Sequence, residues 1–159
     1  MAFIGVDHGT TAMRFALIDG EKVLTFELGR SEAAAMSEKE ILESIEKEFG
    51  IKSEDIDLIA LTYSMGDGFS EIKDVRRLKG RGLQSTEGAG KKTGGGTRVF
   101  DAIRNSDIPA VAIPGLHVRS KVDPRMKVFS HLTSPEKLGI AYHIRCLGYE
   151  DFVVSDISS

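Results

Sequence analysis

A single cysteine, Cys146, stands among 159 residues, and that scarcity removes several classes of protein at once. Disulfide frameworks and CxxC metal pairs both need at least two thiols. A lone thiol suits a reducing compartment, so the expected location is cytoplasmic, and Cys146 itself reads as a small apolar residue on a helix. No apolar run approaches the ~18 uncharged residues that cross a bilayer, so no membrane is expected as a partner. The chain opens Met-Ala-Phe-Ile-Gly-Val-Asp, without a basic start and with an acid at position 7, so no secretory leader is expected. Histidines are few as well: His8, His117, His131 and His143 show no i, i+4 or HxH spacing. They read as surface or packing residues rather than as metal ligands.

Charge is plentiful but uneven. The chain carries 21 Lys and Arg against 24 Asp and Glu, a formal net charge of −3, with 41% hydrophobic residues. That composition suits one ordinary core and, at ~100–200 residues per domain, one domain. The first 57 residues hold 13 acids and 6 bases. Between Lys73 and Arg98 the sign reverses, with 8 bases, 2 acids and 7 of the 17 glycines. That segment has no clear periodicity, and a long loop inside a compact domain is usually functional or disordered. Its basic balance points to an anionic ligand or an acidic protein partner, and it is expected to be mobile from Arg76 to Lys92 when unpartnered. With an acidic chain overall, a nucleic-acid partner is the less favoured reading.

Three short apolar segments come first: Phe3 to Asp7, Met13 to Ile18 and Val23 to Leu28. Gly9-Thr10-Thr11 joins the first two, and Asp19-Gly20, a strong hairpin signal, joins the next, so the three strands form an antiparallel meander. Ser37 and Glu40 have capping-box spacing. Ile41, Leu42, Ile45 and Phe49 then share one helical face that stops at Gly50. Its acids, Glu38 to Glu48, read as a solvated face. Ile56 to Tyr63 reads as a fourth strand, parallel to the first because a helix intervenes. Thr97 is the predicted cap of a short helix bearing Val99, Phe100 and Ile103, and Ala110 to Ile113 is a fifth strand. Ser134-Pro135 opens a last helix to Leu147. Apolar residues wrap most of the way round it, which predicts deep packing. A further strand is expected from Asp151 to Asp156. The order βββ-α-β-α-β-α implies an α/β domain, a ribonuclease-H-like mixed sheet flanked by helices.

The strongest chemical signal is Phe3-Ile4-Gly5-Val6-Asp7-His8-Gly9-Thr10-Thr11, followed by Arg14. An acid ending a central strand projects into the crevice beside the sheet. Gly9 permits close backbone approach, and the N–H and hydroxyl groups of Thr10 and Thr11 can donate to phosphate oxygens. A carboxylate beside a phosphate site makes sense when Mg²⁺, often through water, lies between them. The same string also fits a plain hairpin in which Asp7 only caps the turn.

Asp-x-Gly-Thr-Thr in a first hairpin resembles the first phosphate loop of the sugar kinase, heat-shock chaperone and actin (ASKHA) superfamily. Three strings, Ile-Gly-Val-Asp-His-Gly-Thr-Thr-Ala-Met-Arg-Phe-Ala, Leu-Thr-Tyr-Ser-Met-Gly-Asp-Gly-Phe and Lys-Lys-Thr-Gly-Gly-Gly-Thr-Arg-Val-Phe-Asp-Ala-Ile, resemble the archaeal methanogenesis marker protein 12 family. The hairpin covers about a tenth of the chain, whereas the closer resemblance runs end to end. It implies the N-terminal lobe of a two-lobed protein that binds ATP and Mg²⁺. Asp7 would hold the metal through water, and Gly9, Thr10 and Thr11 would grip phosphates. Phe152 and Asp156 repeat the spacing of Phe3 and Asp7, with Ser158 and Ser159 falling on Gly9 and Thr10. Residues 1–150 are therefore expected to form the lobe, with 73–98 as its insertion. Residues 151–159 would begin a second lobe, with Asp156 in the second phosphate loop.

Two further candidates follow. Asp67, in the turn after the fourth strand, is expected at the same sheet edge as Asp7, as a catalytic base or substrate contact, or else as an Asx turn between Gly66 and Gly68. Thr93-Gly94-Gly95-Gly96-Thr97-Arg98 would present N–H groups and a guanidinium to an anion, or serve as a flexible linker. Gly88-Ala89-Gly90-Lys91-Lys92-Thr93 fails as a Walker loop, because Ser85 stands where the first glycine belongs and Lys92 where Ser or Thr should follow.

Three functions compete. The leading one is a lobe of an ATP-binding phosphotransferase or ATPase, inactive by itself because such catalysis needs closure over the nucleotide. The second is a Mg²⁺-dependent nuclease or resolvase in which Asp7, Glu43 and Asp67 converge on metal. The third is a non-catalytic assembly module of a methanogenesis-related complex, docking through Lys73 to Gly96.

Overall fold

The computed structural model describes residues 1–9, 11–62, 70–78, 94–117, 120–124 and 131–155. Thr10, Asp67 and Asp156, three of the expected site residues, lie outside them, as does most of the basic insertion.

Strands β1 (Ala2–His8), β2 (Ala12–Asp19) and β3 (Lys22–Gly29) form the expected meander. The β2–β3 turn depends on Gly20, whose φ of 61° lies in the left-handed region that side chains disfavour. Helix α1 (Arg30–Ala35) follows at once and was not foreseen: six residues with no side-chain cap carry no periodic signal. Helix α2 (Glu38–Phe49) begins with the predicted capping box. The Glu40 N–H donates to Ser37 Oγ at 3.2 Å, and the Ser37 N–H donates to Glu40 at 2.7 Å. These contacts hold the Glu40 carboxyl below its ordinary pKa. Gly50, at φ 64°, ends the helix.

Strand β4 (Ile56–Thr62) then runs parallel to β1. A two-residue strand, β5 (Lys73–Asp74), and one 3-10 turn (Val75–Arg77) lead to α3 (Gly95–Asn105) and β6 (Ala110–Ile113). A small hairpin of β7 (Leu116–His117) and β8 (His131–Thr133) precedes α4 (Pro135–Cys146). The main sheet has the order β3-β2-β1-β4-β6-β5, with β6 parallel to β4 and β5 antiparallel on the edge. This is an α/β mixed sheet of the ribonuclease-H-like kind, as expected, with one extra edge strand.

Alternation divides the sheet. Ile4, Val6, Phe15, Leu17, Ile59 and Leu61 are buried with Ile41, Ile45 and Phe49 of α2 and Phe100 and Ile103 of α3 in one core. Phe15 stacks on Phe26 at 4.5 Å, and Phe26 meets Phe49 edge-on at 5.0 Å. Burying each such side chain contributes ~1.5–3 kcal/mol.

Four expectations are corrected. Helix α3 starts two residues before Thr97, which is buried inside its first turn rather than capping it. Arg76 is not part of a mobile loop. Its guanidinium donates to the Ser106 and Ile108 carbonyls at 2.7 and 2.9 Å, and neighbouring Val75 is wholly buried. Helix α4 is not deeply packed, for only Pro135 is buried, and Ile140, Tyr142 and Leu147 are 47%, 73% and 62% exposed. Residues 151–155 form no strand. A strand needs a partner to satisfy its backbone, and no described strand runs beside them.

Candidate functional site

Asp7 belongs to the sheet face opposite the core. Cross-strand register sets Glu27, Arg14, Asp7 and Thr62 side by side on β3, β2, β1 and β4. The four are linked. Arg14 donates to Glu27 at 2.9 Å and to Asp7 at 3.3 Å, and the Thr62 hydroxyl lies 3.2 Å from Asp7 Oδ1. Glu27 first, and Asp7 second, strengthen the hold of Arg14 on its proton. Thr62 also ties β4 to β1, since its Oγ1 accepts from the His8 N–H at 3.2 Å. The result is a half-exposed acid at a strand end, flanked by a cation and a hydroxyl.

The turn beyond β1 is clamped from α1. Arg30 donates from its side chain to the Gly9 carbonyl at 3.2 Å, and its N–H donates to the Thr11 carbonyl at 3.1 Å. Gly9 is required here, because a Cβ would stand 2.6 Å from the Ala12 carbonyl oxygen and 2.7 Å from the Arg14 guanidinium. His8 points to the other side of β1, where its ring lies against Gly96, and a Cβ on Gly96 would fall 1.8 Å from Nε2. A Cβ on Gly95 would fall 2.1 Å from the Arg30 carbonyl oxygen. The Gly-Gly start of α3 is thus a packing device that seats the helix on the end of β1 and the start of α1. Burial first, and the nearby Arg30 charge second, lower the His8 pKa from its ordinary value.

The predicted residues divide as follows. Asp7, Gly9 and Thr11 share the end of the first hairpin, and the helix bearing Arg98 begins against that same corner. Arg98 is half-buried, and its Nε is shielded from solvent with no hydrogen-bond partner among the described residues. Glu43 does not join Asp7: it pairs with Lys39 at 3.3 Å on α2, which covers the opposite face of the sheet. Among the described residues no three His, Cys, Asp or Glu side chains are grouped to hold a metal ion. No helix of the described residues is long and apolar enough to cross a membrane. Arg14, Thr62 and Arg30 were missed. For Arg14 a signal existed, because counting back across the turn Gly9–Thr11 sets it opposite Asp7.

Comparison with known proteins adds relatives but no reaction. Over its full length the chain is 90% identical to a UPF0285 protein of Methanosarcina mazei and 49% identical to one of Methanocaldococcus jannaschii. It is similar to these UPF0285 proteins, and it spans about half the length of the curated relatives it matches, 49% and 48% for these two. No family model matches. Among solved structures, YeaZ from Pseudomonas aeruginosa is similar over 74% of this chain and 45% of its own, at 17% identity and a TM-score of 0.36.

Proposed function

We propose that the chain is one lobe of an ATP-binding phosphotransferase or ATPase of the ASKHA type, with residues 1–150 as the lobe and 151–159 leading into a second. The resemblance to the methanogenesis marker protein 12 family makes a methanogenesis-related role part of this reading. The observation that carries it is the pairing of Asp7 with Arg14 beside the Gly9–Thr11 turn. An acid that holds Mg²⁺ through water, a cation for phosphate oxygens and a turn kept open by glycine are the parts a phosphate-binding hairpin needs. Exposed ion pairs of this kind are weak in water, so Arg14 can exchange Asp7 for a phosphate at little cost. Arg98, near the start of the helix that begins against this corner, would meet the substrate or the terminal phosphate. Asp67 and Asp156 would add a base and a second phosphate loop. Glu43 argues against the nuclease reading, because its position on α2 removes one of the three acids that reading needs.

Calorimetric titration of Mg-ATP into the full-length M. mazei relative tests the proposal. Binding that needs Mg²⁺ and is lost in Asp7→Asn supports it. Undiminished binding in Asp7→Asn would sink it.

A further inference from the structure

Among the described residues, the face that carries Asp7 is largely uncovered. Next to the polar row, register aligns a row of small residues, Thr25, Ala16, Gly5 and Ala60. Beyond it lies an apolar row, Val23, Ile18, Phe3 and Leu58. Val23, Ile18 and Phe3 are 62%, 49% and 39% exposed although they are direct cross-strand neighbours. Helix α4 stands over the small row and leaves an open cleft of about 790 Å³, with Gly139 and Ile140 on its helical wall. A helix with apolar residues most of the way round calls for cover on most sides, yet Ile140, Tyr142 and the C-cap Leu147 meet solvent. Adjoining apolar residues exposed in this way mark an interaction surface rather than the ordinary scatter of single surface hydrophobes.

The occupant follows from length and charge. The UPF0285 relatives are about twice as long as this chain, so a stretch of comparable size accompanies it in them. A lipid surface is disfavoured because the polar row on this face sets two acids, Asp7 and Glu27, against one base, Arg14, and so offers anionic headgroups no basic patch. We propose that the apolar row of β1–β3 and the outer side of α4 form the surface on which the other half of the UPF0285 polypeptide docks, closing the cleft. This rests on packing and does not depend on the nucleotide reading.

Hydrogen exchange tests it. Amides of α4 should exchange at least tenfold more slowly in the full-length M. mazei relative than in this 159-residue chain, independently of protein concentration. Equal rates overturn the proposal, and so does protection that fades on dilution, which would assign the face to a second copy. As a second arm, Ile18→Asp and Ile140→Asp should each lower the melting temperature of the full-length protein and leave that of this chain unchanged. An equal loss in both overturns it.

Discussion

Individual residues at the end of β1 are held by contacts that leave little room. Gly95 and Gly96 both start α3, but what each would strike differs. An added methyl on Gly95 meets the Arg30 backbone, which cannot swing aside, whereas on Gly96 it meets the His8 ring. Overpacking costs ~1–3 kcal/mol. Gly95→Ala should therefore fall at or beyond the upper end of that range and Gly96→Ala below it, measured as shifts in denaturant midpoint. His8 makes stability depend on pH. Its pKa is lowered in the fold, so the unfolded chain binds the extra proton first. The stabilisation is complete above the ordinary histidine range and declines as pH falls through it toward the lowered folded value. Denaturant midpoints recorded between pH 8 and pH 5 should fall with acidity, and His8→Asn should flatten part of that slope. An unchanged slope in the variant would remove His8 from the explanation.

Secondary-structure elements divide by whether their causes are local. The Ser37–Glu40 capping box and the Gly50 stop lie within single turns of chain, and both were legible in the sequence. Loss of the cap in Ser37→Ala should cost ~1 kcal/mol, read from the thermal midpoint. The Asp19-Gly20 turn was legible for the same reason, and with it the hairpin that presents Asp7. Helix α1 was hidden because one and a half turns bearing a single buried residue, Ala33, leave no stripe. Strand β5 was hidden because two residues carry no alternation, and its existence depends on β6, about forty residues later. The ties from Arg76 to the end of α3 are likewise contacts at a distance, so a residue read as loop charge proves to be a brace. In the site, Asp7 and Gly9 were legible from type and spacing. Thr62 was not, because its place beside Asp7 depends on a parallel pairing across more than fifty residues. Helix α4 shows the reverse case, where an apolar pattern in the sequence asks for more cover than the described residues supply.

At the scale of the whole molecule, this chain offers one wall of the proposed nucleotide site. Phosphoryl transfer is catalysed by positioning and by charge brought to the phosphates from more than one side, within a site that closes. The isolated 159-residue chain should therefore bind Mg-ATP weakly and show no phosphate release above background. Turnover by the chain alone, abolished in Asp7→Ala, would show that one lobe suffices. The most direct test is a crystal structure of the full-length M. mazei relative with Mg²⁺ and a non-hydrolysable ATP analogue. The phosphates should lie against the Gly9–Thr11 turn and the Arg14 guanidinium, with a metal-bound water on Asp7. Two metal ions directly on Asp7, or a nucleotide bound away from this hairpin, would contradict it.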